Sequence, residues 1–330
     1  MRFRRRAWQS RRSRNGSNNR GMASVTLISI DEVVCQQEVE MIAKPHRRSN
    51  VAVLMDGVLK HMTVHEWGDA QNPRVVLCVH GLSRNGRDFD VVADALSRDF
   101  RVLCPDIPGR GQSDWLASAE QYSIPNYVRF INAMLTEFGV QSYDWIGTSM
   151  GGLIGMVMAS GLTAPGSTMK RFVINDIGPV LEIEAIKRIA SYVGLVPNFA
   201  SYPELYAAAR MAITTFGPLT EEQYQHMVST SCWQRADGRW EFNMDPKVGE
   251  AFRSGLAAPA ADMWPLWLAV EQPTLILRGV NSDLLSAATL TKMVETHPNA
   301  TALTIAETGH APMIFDGPTV SAVVDFLTGN

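Results

Sequence analysis

The chain has 330 residues and is 46% hydrophobic, enough to bury a substantial core as one large domain or two small ones. No stretch approaches the ~18–20 consecutive apolar residues of a membrane span. Its four cysteines, Cys35, Cys78, Cys104 and Cys232, form no CxxC pair and sit near no histidine cluster, which argues against a disulfide framework or a zinc site and for a reducing cytoplasm. The net charge of −3 hides an asymmetry, because residues 1–20 hold eight arginines and no acid.

That basic arm has the composition of a surface-binding or targeting segment. Arg11-Arg12 lacks the apolar stretch and cleavage site of an export signal, while an Arg- and Ser-rich leader leaves organelle targeting open. The simpler expectation is a disordered extension over residues 1–48, with Met22 an alternative start and no nucleic-acid partner.

Next comes a hairpin. Val51–Met55 and Val58–Trp67 flank Asp56-Gly57, a pair suited to a tight primed turn, and His61 and His65 fall on the face expected to be solvated. From Arg74 the pattern changes to short apolar runs separated by helical stretches. The runs are Val75–Val79, Val102–Cys104, Trp145–Ile146, Phe172–Ile174, Thr274–Leu277 and Ala302–Ile305. Such runs predict strands buried on both faces, hence a mostly parallel sheet flanked by helices. Cys78 and Cys104 fall inside two of them and read as small buried hydrophobes. The helices are expected near Asp88–Arg98, Pro125–Phe138, Leu285–Glu295 and Thr319–Leu327. One interval breaks the alternation. Residues 176–271 hold helix-like segments around Leu181–Val193, Tyr202–Phe216 and Thr220–Ser229 and are rich in aromatics, so they read as a helical cap inserted after the sixth strand. The body is then 49–175 with 272–330.

Gly147-Thr148-Ser149-Met150-Gly151 lies between a short apolar run and a helix-like one. Strand, sharp turn and helix are the context in which Gly-x-Ser-x-Gly presents a reactive serine, the glycines leaving room for a strained backbone. A serine hydroxyl needs a base, itself oriented by a third group. Asp283 and His310 both follow apolar runs downstream, and strand ends in a parallel sheet converge on one crevice. Asp176 follows another strand and is the rival acid, read here as structural or as a hinge to the cap. The glycines around Asp106 lack the spacing and lysine of a phosphate loop, so no nucleotide site is expected.

These landmarks, His80-Gly81, Asp106-x-x-Gly109-x-Gly111-x-Ser113, the serine turn and Gly309-His310, resemble a serine hydrolase of the α/β-hydrolase fold superfamily from about His61 onward. The resemblance implies Ser149 as nucleophile, His310 as general base then acid, and Asp283 as the residue orienting His310. It implies an oxyanion hole from the backbone N–H groups of Leu82 and Met150, with His80 holding that loop by hydrogen bonding. No cofactor or metal is implied. The expected activity is carboxylic-ester hydrolysis, carboxylesterase-like, through an acyl-enzyme on a small to medium, partly apolar ester. The expected partners are such a small-molecule ester or lactone and, at most, a second copy of the chain as a homodimer. Lactone or enol-lactone hydrolysis shares the mechanism. The resemblance to the C–C hydrolases of ring-fission products is weaker, since Ser83-Arg84-Asn85 replaces their Gly-Pro-Gly and Ala311 their Trp. A ligand receptor on the same fold is the reading from another class.

Overall fold

The computed structural model describes residues 45, 47–161, 166–195, 197–256 and 262–329; the arginine-rich segment, Met22 and Cys35 lie outside them. The central sheet is built from β1 (Arg47–Met55), β2 (Val58–Trp67), β3 (Val75–Val79), β4 (Arg101–Pro105), β5 (Ser142–Thr148), β6 (Thr168–Asn175), β9 (Thr274–Gly279) and β10 (Ala300–Ile305). Their order across the sheet is β1-β2-β4-β3-β5-β6-β9-β10, with β1 and β2 antiparallel and all later pairings parallel except β2 with β4. Asp56 and Gly57 both take positive φ, 47° and 81°, as the primed turn between β1 and β2 demands.

Parallel neighbours need crossovers, and helices supply them. The helices in the body are α1 (Asp90–Leu96), α2 (Ile124–Glu137), α3 (Met150–Ala159), α9 (Ala287–Thr296) and α10 (Gly317–Thr328). β3 shows why the apolar runs are unbroken. Val75, Leu77 and Val79 join one core with residues of α2 and α3, while Val76 and Cys78 join a second core with residues of α1 and α10. Side chains alternate across a strand, so a strand covered on both faces is apolar at every position. β10 departs from this expectation. As the edge strand, paired with β9 alone, it leaves Thr301, Ala302 and Thr304 exposed. His65 also departs: it is buried and bonded to Asp106, because β2 lies inside the sheet and the loop after β4 closes over its end. His61 is exposed, as expected.

Between β6 and β9 the chain forms α4 (Ile183–Tyr192), α5 (Tyr202–Ala212), α6 (Glu221–Ser229), the hairpin β7 (Cys232–Gln234) and β8 (Trp240–Phe242), α7 (Pro246–Gly255) and α8 (Trp264–Leu268). The hairpin, α7 and α8 leave no mark in the periodicity, although Asp245-Pro246 is a helix start: the Asp245 carboxylate caps the Lys247 N–H and proline occupies the first turn. Several of the aromatics pack on Leu205, Ala209 and Val228 in a small core of this segment's own, Phe199, Tyr202, Tyr206, Trp240 and Phe242 among them. Hydrogen bonds tie it to the body's loops, among them Asn85 Nδ2 to the Thr230 carbonyl (2.9 Å), the Asp245 N–H to the Gly109 carbonyl (2.8 Å) and the Gly111 N–H to the Asn243 carbonyl (3.1 Å). No described helix is long and apolar enough to cross a membrane.

Candidate active site

Ser149 stands between β5 and α3 with φ 51° and ψ −113°, a backbone conformation that costs a non-glycine residue free energy. The flanking glycines are demanded by contact. A Cβ on Gly147 would lie 2.4 Å from the Gly151 carbonyl oxygen, and one on Gly151 would lie 1.9 Å from that of Val79. The turn can therefore close on itself at Gly147 and pack against β3 at Gly151 only with hydrogen at both positions. The Ser149 N–H donates to the Asn175 carbonyl at 2.9 Å, which pins the turn to β6 as well.

Ser149 Oγ lies 2.9 Å from His310 Nε2, and His310 Nδ1 lies 2.9 Å from Asp176 Oδ2. A carboxylate only accepts, so Nδ1 carries the proton and Nε2 is left to accept from the serine hydroxyl. Asp176, fully buried at the end of β6, also takes a positive φ of 56°. Its carboxylate is further held by the Gly279 N–H on Oδ1 (3.0 Å) and the Ser282 hydroxyl on Oδ2 (2.7 Å). The loop carrying His310 is anchored to the inserted segment, the Gly309 N–H donating to the Thr215 carbonyl (2.7 Å) and Thr215 Oγ1 to the His310 carbonyl (3.0 Å).

Asp283 does not occupy the place expected of it. The residue of its loop that turns inward is Ser282, while the Asp283 side chain is 44% exposed and forms a two-pronged ion pair with Arg188 of α4, at 2.7 and 2.8 Å. Partial burial alone would raise the Asp283 pKa, but the Arg188 hydrogen bonds and charge hold it below the ordinary carboxylate value. The structure thus brings Ser149 and His310 together and supplies Asp176, the rival, as the carboxylate on His310.

His80 lies in the loop after β3 and is fully buried. The Ile107 N–H donates to its Nε2 (2.9 Å), so Nδ1–H donates to the Gly81 carbonyl (2.7 Å) and the ring fixes the loop that leads to Leu82. Burial, followed by the nearby Arg110 charge, lowers the His80 pKa to about 4, which keeps it neutral. A Cβ on Gly81 would lie 3.7 Å from that of Ser149, so this loop passes directly beside the serine. Met150 opens α3, where the first N–H groups have no partner within the helix. Among the described residues, neither the Leu82 nor the Met150 N–H donates a hydrogen bond to the protein. Asp106 is instead an organiser of its own loop, accepting from the Gly86 and Gln112 N–H groups at 2.8 Å each.

Two participants carried little sequence signal. Ser282 and Asn175 secure Asp176 and the serine turn through hydrogen bonds that no motif announces. Arg110 is the variable position between two glycines of the Asp106 motif, and nothing in that motif singles it out. Among the described residues no group of three or more His, Cys, Asp or Glu is placed to hold a metal ion.

The chain belongs to the alpha/beta hydrolase fold family, whose sequence profile matches residues 74–317. Among its relatives is a 3-hydroxybutyrate-oligomer hydrolase of Cupriavidus necator, 40% identical over 296 residues that make up 88% of this chain and 100% of that protein. A solved α/β hydrolase of Novosphingobium aromaticivorans is 33% identical, covers 87% of this chain and 99% of its own, and superposes with a TM-score of 0.76. An E-2-(acetamidomethylene)succinate hydrolase, 21% identical with a TM-score of 0.72 over 86% of this chain and all of its own, shares the fold. By fold and by relationship the chain is a hydrolase.

Proposed function

We propose that the protein hydrolyses carboxylic esters through an acyl-enzyme, with Ser149, His310 and Asp176 as the triad. The observation that carries this reading is the unbroken pair of 2.9 Å hydrogen bonds from Asp176 through His310 to a serine held in a strained turn. Ser149 Oγ attacks the ester carbonyl carbon as its proton passes to His310 Nε2. The carbonyl oxygen becomes an oxyanion facing the Leu82 and Met150 N–H groups, at the positive end of α3. His310 returns the proton to the leaving alkoxide, which departs as an alcohol. Water then attacks the acyl-enzyme with His310 again as base, releasing a carboxylic acid and restoring the Ser149 hydroxyl. Asp176 holds the ring in the tautomer that makes both transfers available.

For the substrate, the relationship to the 3-hydroxybutyrate-oligomer hydrolase favours short oligomeric esters of a hydroxy acid. These are small to medium and partly apolar, and one product end is a carboxylate. The inserted segment acts as the cap in this reading, and its links to Gly109, Gly111 and Gly309 support that placement.

The test is hydrolysis of the linear 3-hydroxybutyrate dimer and trimer, alongside p-nitrophenyl butyrate, by wild type and Ser149→Ala. Release of monomer by wild type and its loss in the variant is expected. A folded wild type that cleaves p-nitrophenyl butyrate but neither oligomer would overturn the substrate class. One that cleaves none of the three would overturn the ester reading.

A further inference from the structure

Arg110 is one of the largest fully buried side chains among the described residues, 1% exposed. Nε donates to the Leu82 carbonyl (2.9 Å), Nη1 to the Pro108 carbonyl (2.6 Å) and the Tyr127 hydroxyl (3.0 Å), and Nη2 to Met150 Sδ (2.9 Å). The guanidinium carbon lies 4.9 Å from the centre of the Tyr127 ring. Among the described residues no acid forms an ion pair with it. A buried cation without a carboxylate is an expensive way to tie loops together, since desolvation of the charge opposes folding and an apolar side chain fills the same space without it.

Two of its four acceptors belong to Leu82 and Met150, the residues whose N–H groups point at the reacting oxygen in the reading above. These residues come from different segments, the loop after β3 and the first turn of α3. We propose that Arg110 is the positioning residue of the oxyanion site: its planar fork joins the Leu82 backbone to the Met150 side chain and so holds together the two segments that carry the amides, and its charge, unpaired among the described residues, favours the negative oxygen that forms between them. The inference rests on the serine-hydrolase reading. Arg110 is 1% exposed and spends four of its five N–H donors on the protein, so it is placed behind the site and not against substrate. It acts through the Leu82 carbonyl and the Met150 side chain and through its field, which also reaches His80, where the Arg110 charge adds to burial in lowering the pKa. Lysine would keep the charge and lose the fork. In such a site donors displaced by about 1 Å lose much of their effect, roughly a hundredfold in rate.

The experiment compares wild type, Arg110→Met and Arg110→Lys, with active sites counted by fluorophosphonate labelling of Ser149 and melting temperature measured for each. We expect kcat of Arg110→Met on p-nitrophenyl butyrate to fall about a hundredfold per labelled site, with KM changed less than about threefold. Affinity for a trifluoromethyl ketone, whose adduct carries the oxyanion, should fall in parallel with kcat, while affinity for the carboxylic acid product stays constant. Arg110→Lys should recover about tenfold of the loss, which keeps the test alive if the methionine variant does not fold. A merely structural arginine would lower melting temperature and labelled fraction while leaving kcat per labelled site within about threefold of wild type, and that result would overturn the proposal. So would a drop in kcat without the matching loss of ketone affinity. A wild type that turns over no ester removes the ester reading and this inference together, an outcome told apart from the others because wild-type activity itself is missing.

Discussion

His310 Nδ1 meets Asp176 Oδ2 at 2.9 Å across 134 positions of sequence, while the Asp283 carboxylate is turned outward onto Arg188. Two acids at the ends of neighbouring strands, β6 and β9, thus have separate tasks, one buried on the imidazole and one in an exposed ion pair linking the body to α4.

The two acids therefore respond differently to loss of charge. Asp176→Asn keeps the shape of the side chain but allows the wrong imidazole tautomer, and kcat on p-nitrophenyl butyrate should fall by about 10³–10⁴-fold. Asp283→Asn breaks an exposed pair, and should change kcat less than about tenfold and stability by no more than about 1 kcal/mol. Steady-state kinetics and urea melts on both variants check this; equal losses in the two, or a larger one in Asp283→Asn, would reassign the acid.

Much of this arrangement is legible in the chain itself. Continuous apolar runs such as Val75–Val79 mark strands covered on both faces, and Gly147-x-Ser149-x-Gly151 marks a turn that admits no Cβ at either end. The choice between Asp176 and Asp283 is not legible, because both follow strands and local pattern says nothing of which side chain a loop turns inward. What decides it is that Ser282 faces Asp176 and Arg188 draws Asp283 away, two contacts made across about a hundred residues. His65 is obscure for a similar reason. Alternation in β2 reads as one wet face, but the Asp106 loop that covers it arrives from another part of the chain. The β7–β8 hairpin has three residues per strand, too short for any period to register.

Gly151→Ala should be far more damaging than an ordinary helix substitution, for which alanine is favourable. Its Cβ would lie 1.9 Å from the Val79 carbonyl oxygen, a backbone atom that moves only if β3 or the serine turn moves. A loss of about 3 kcal/mol or more in urea unfolding is expected, together with loss of esterase activity in whatever fraction still folds. Retention of wild-type stability would mean that the turn does not pack on β3 as described.

His80 gives the fold an acid-side weakness. Its folded pKa of about 4 lies below the ordinary 6.5, so the unfolded chain takes up a proton that the folded protein refuses. The penalty is absent above the unfolded pKa, grows as pH falls through 6.5 and is complete below about 4. It amounts to roughly 3 kcal/mol. His80→Gln cannot titrate, so its stability should change less than that of wild type between pH 7 and pH 4. Urea melts at pH 7, 5.5 and 4 on both proteins read the difference, and parallel curves would show that His80 is not the source.

Asp144 in β5 has the opposite sign. One carboxylate oxygen is buried without a partner, and its nearest cation, Arg171, is 3.9 Å from the other. Burial raises its pKa to about 6, the Arg171 charge opposing that only in part. Because the folded value exceeds the ordinary 3.8, the group costs nothing below that pH and destabilises increasingly as pH rises towards 6, with the full cost above it. Asn fits the same space without a charge to desolvate. Asp144→Asn should therefore be more stable than wild type at pH 8, by on the order of 2 kcal/mol, and the advantage should shrink towards zero near pH 4. Chemical denaturation at the two pH values measures it, and an advantage that does not depend on pH would assign the effect to packing instead of ionisation.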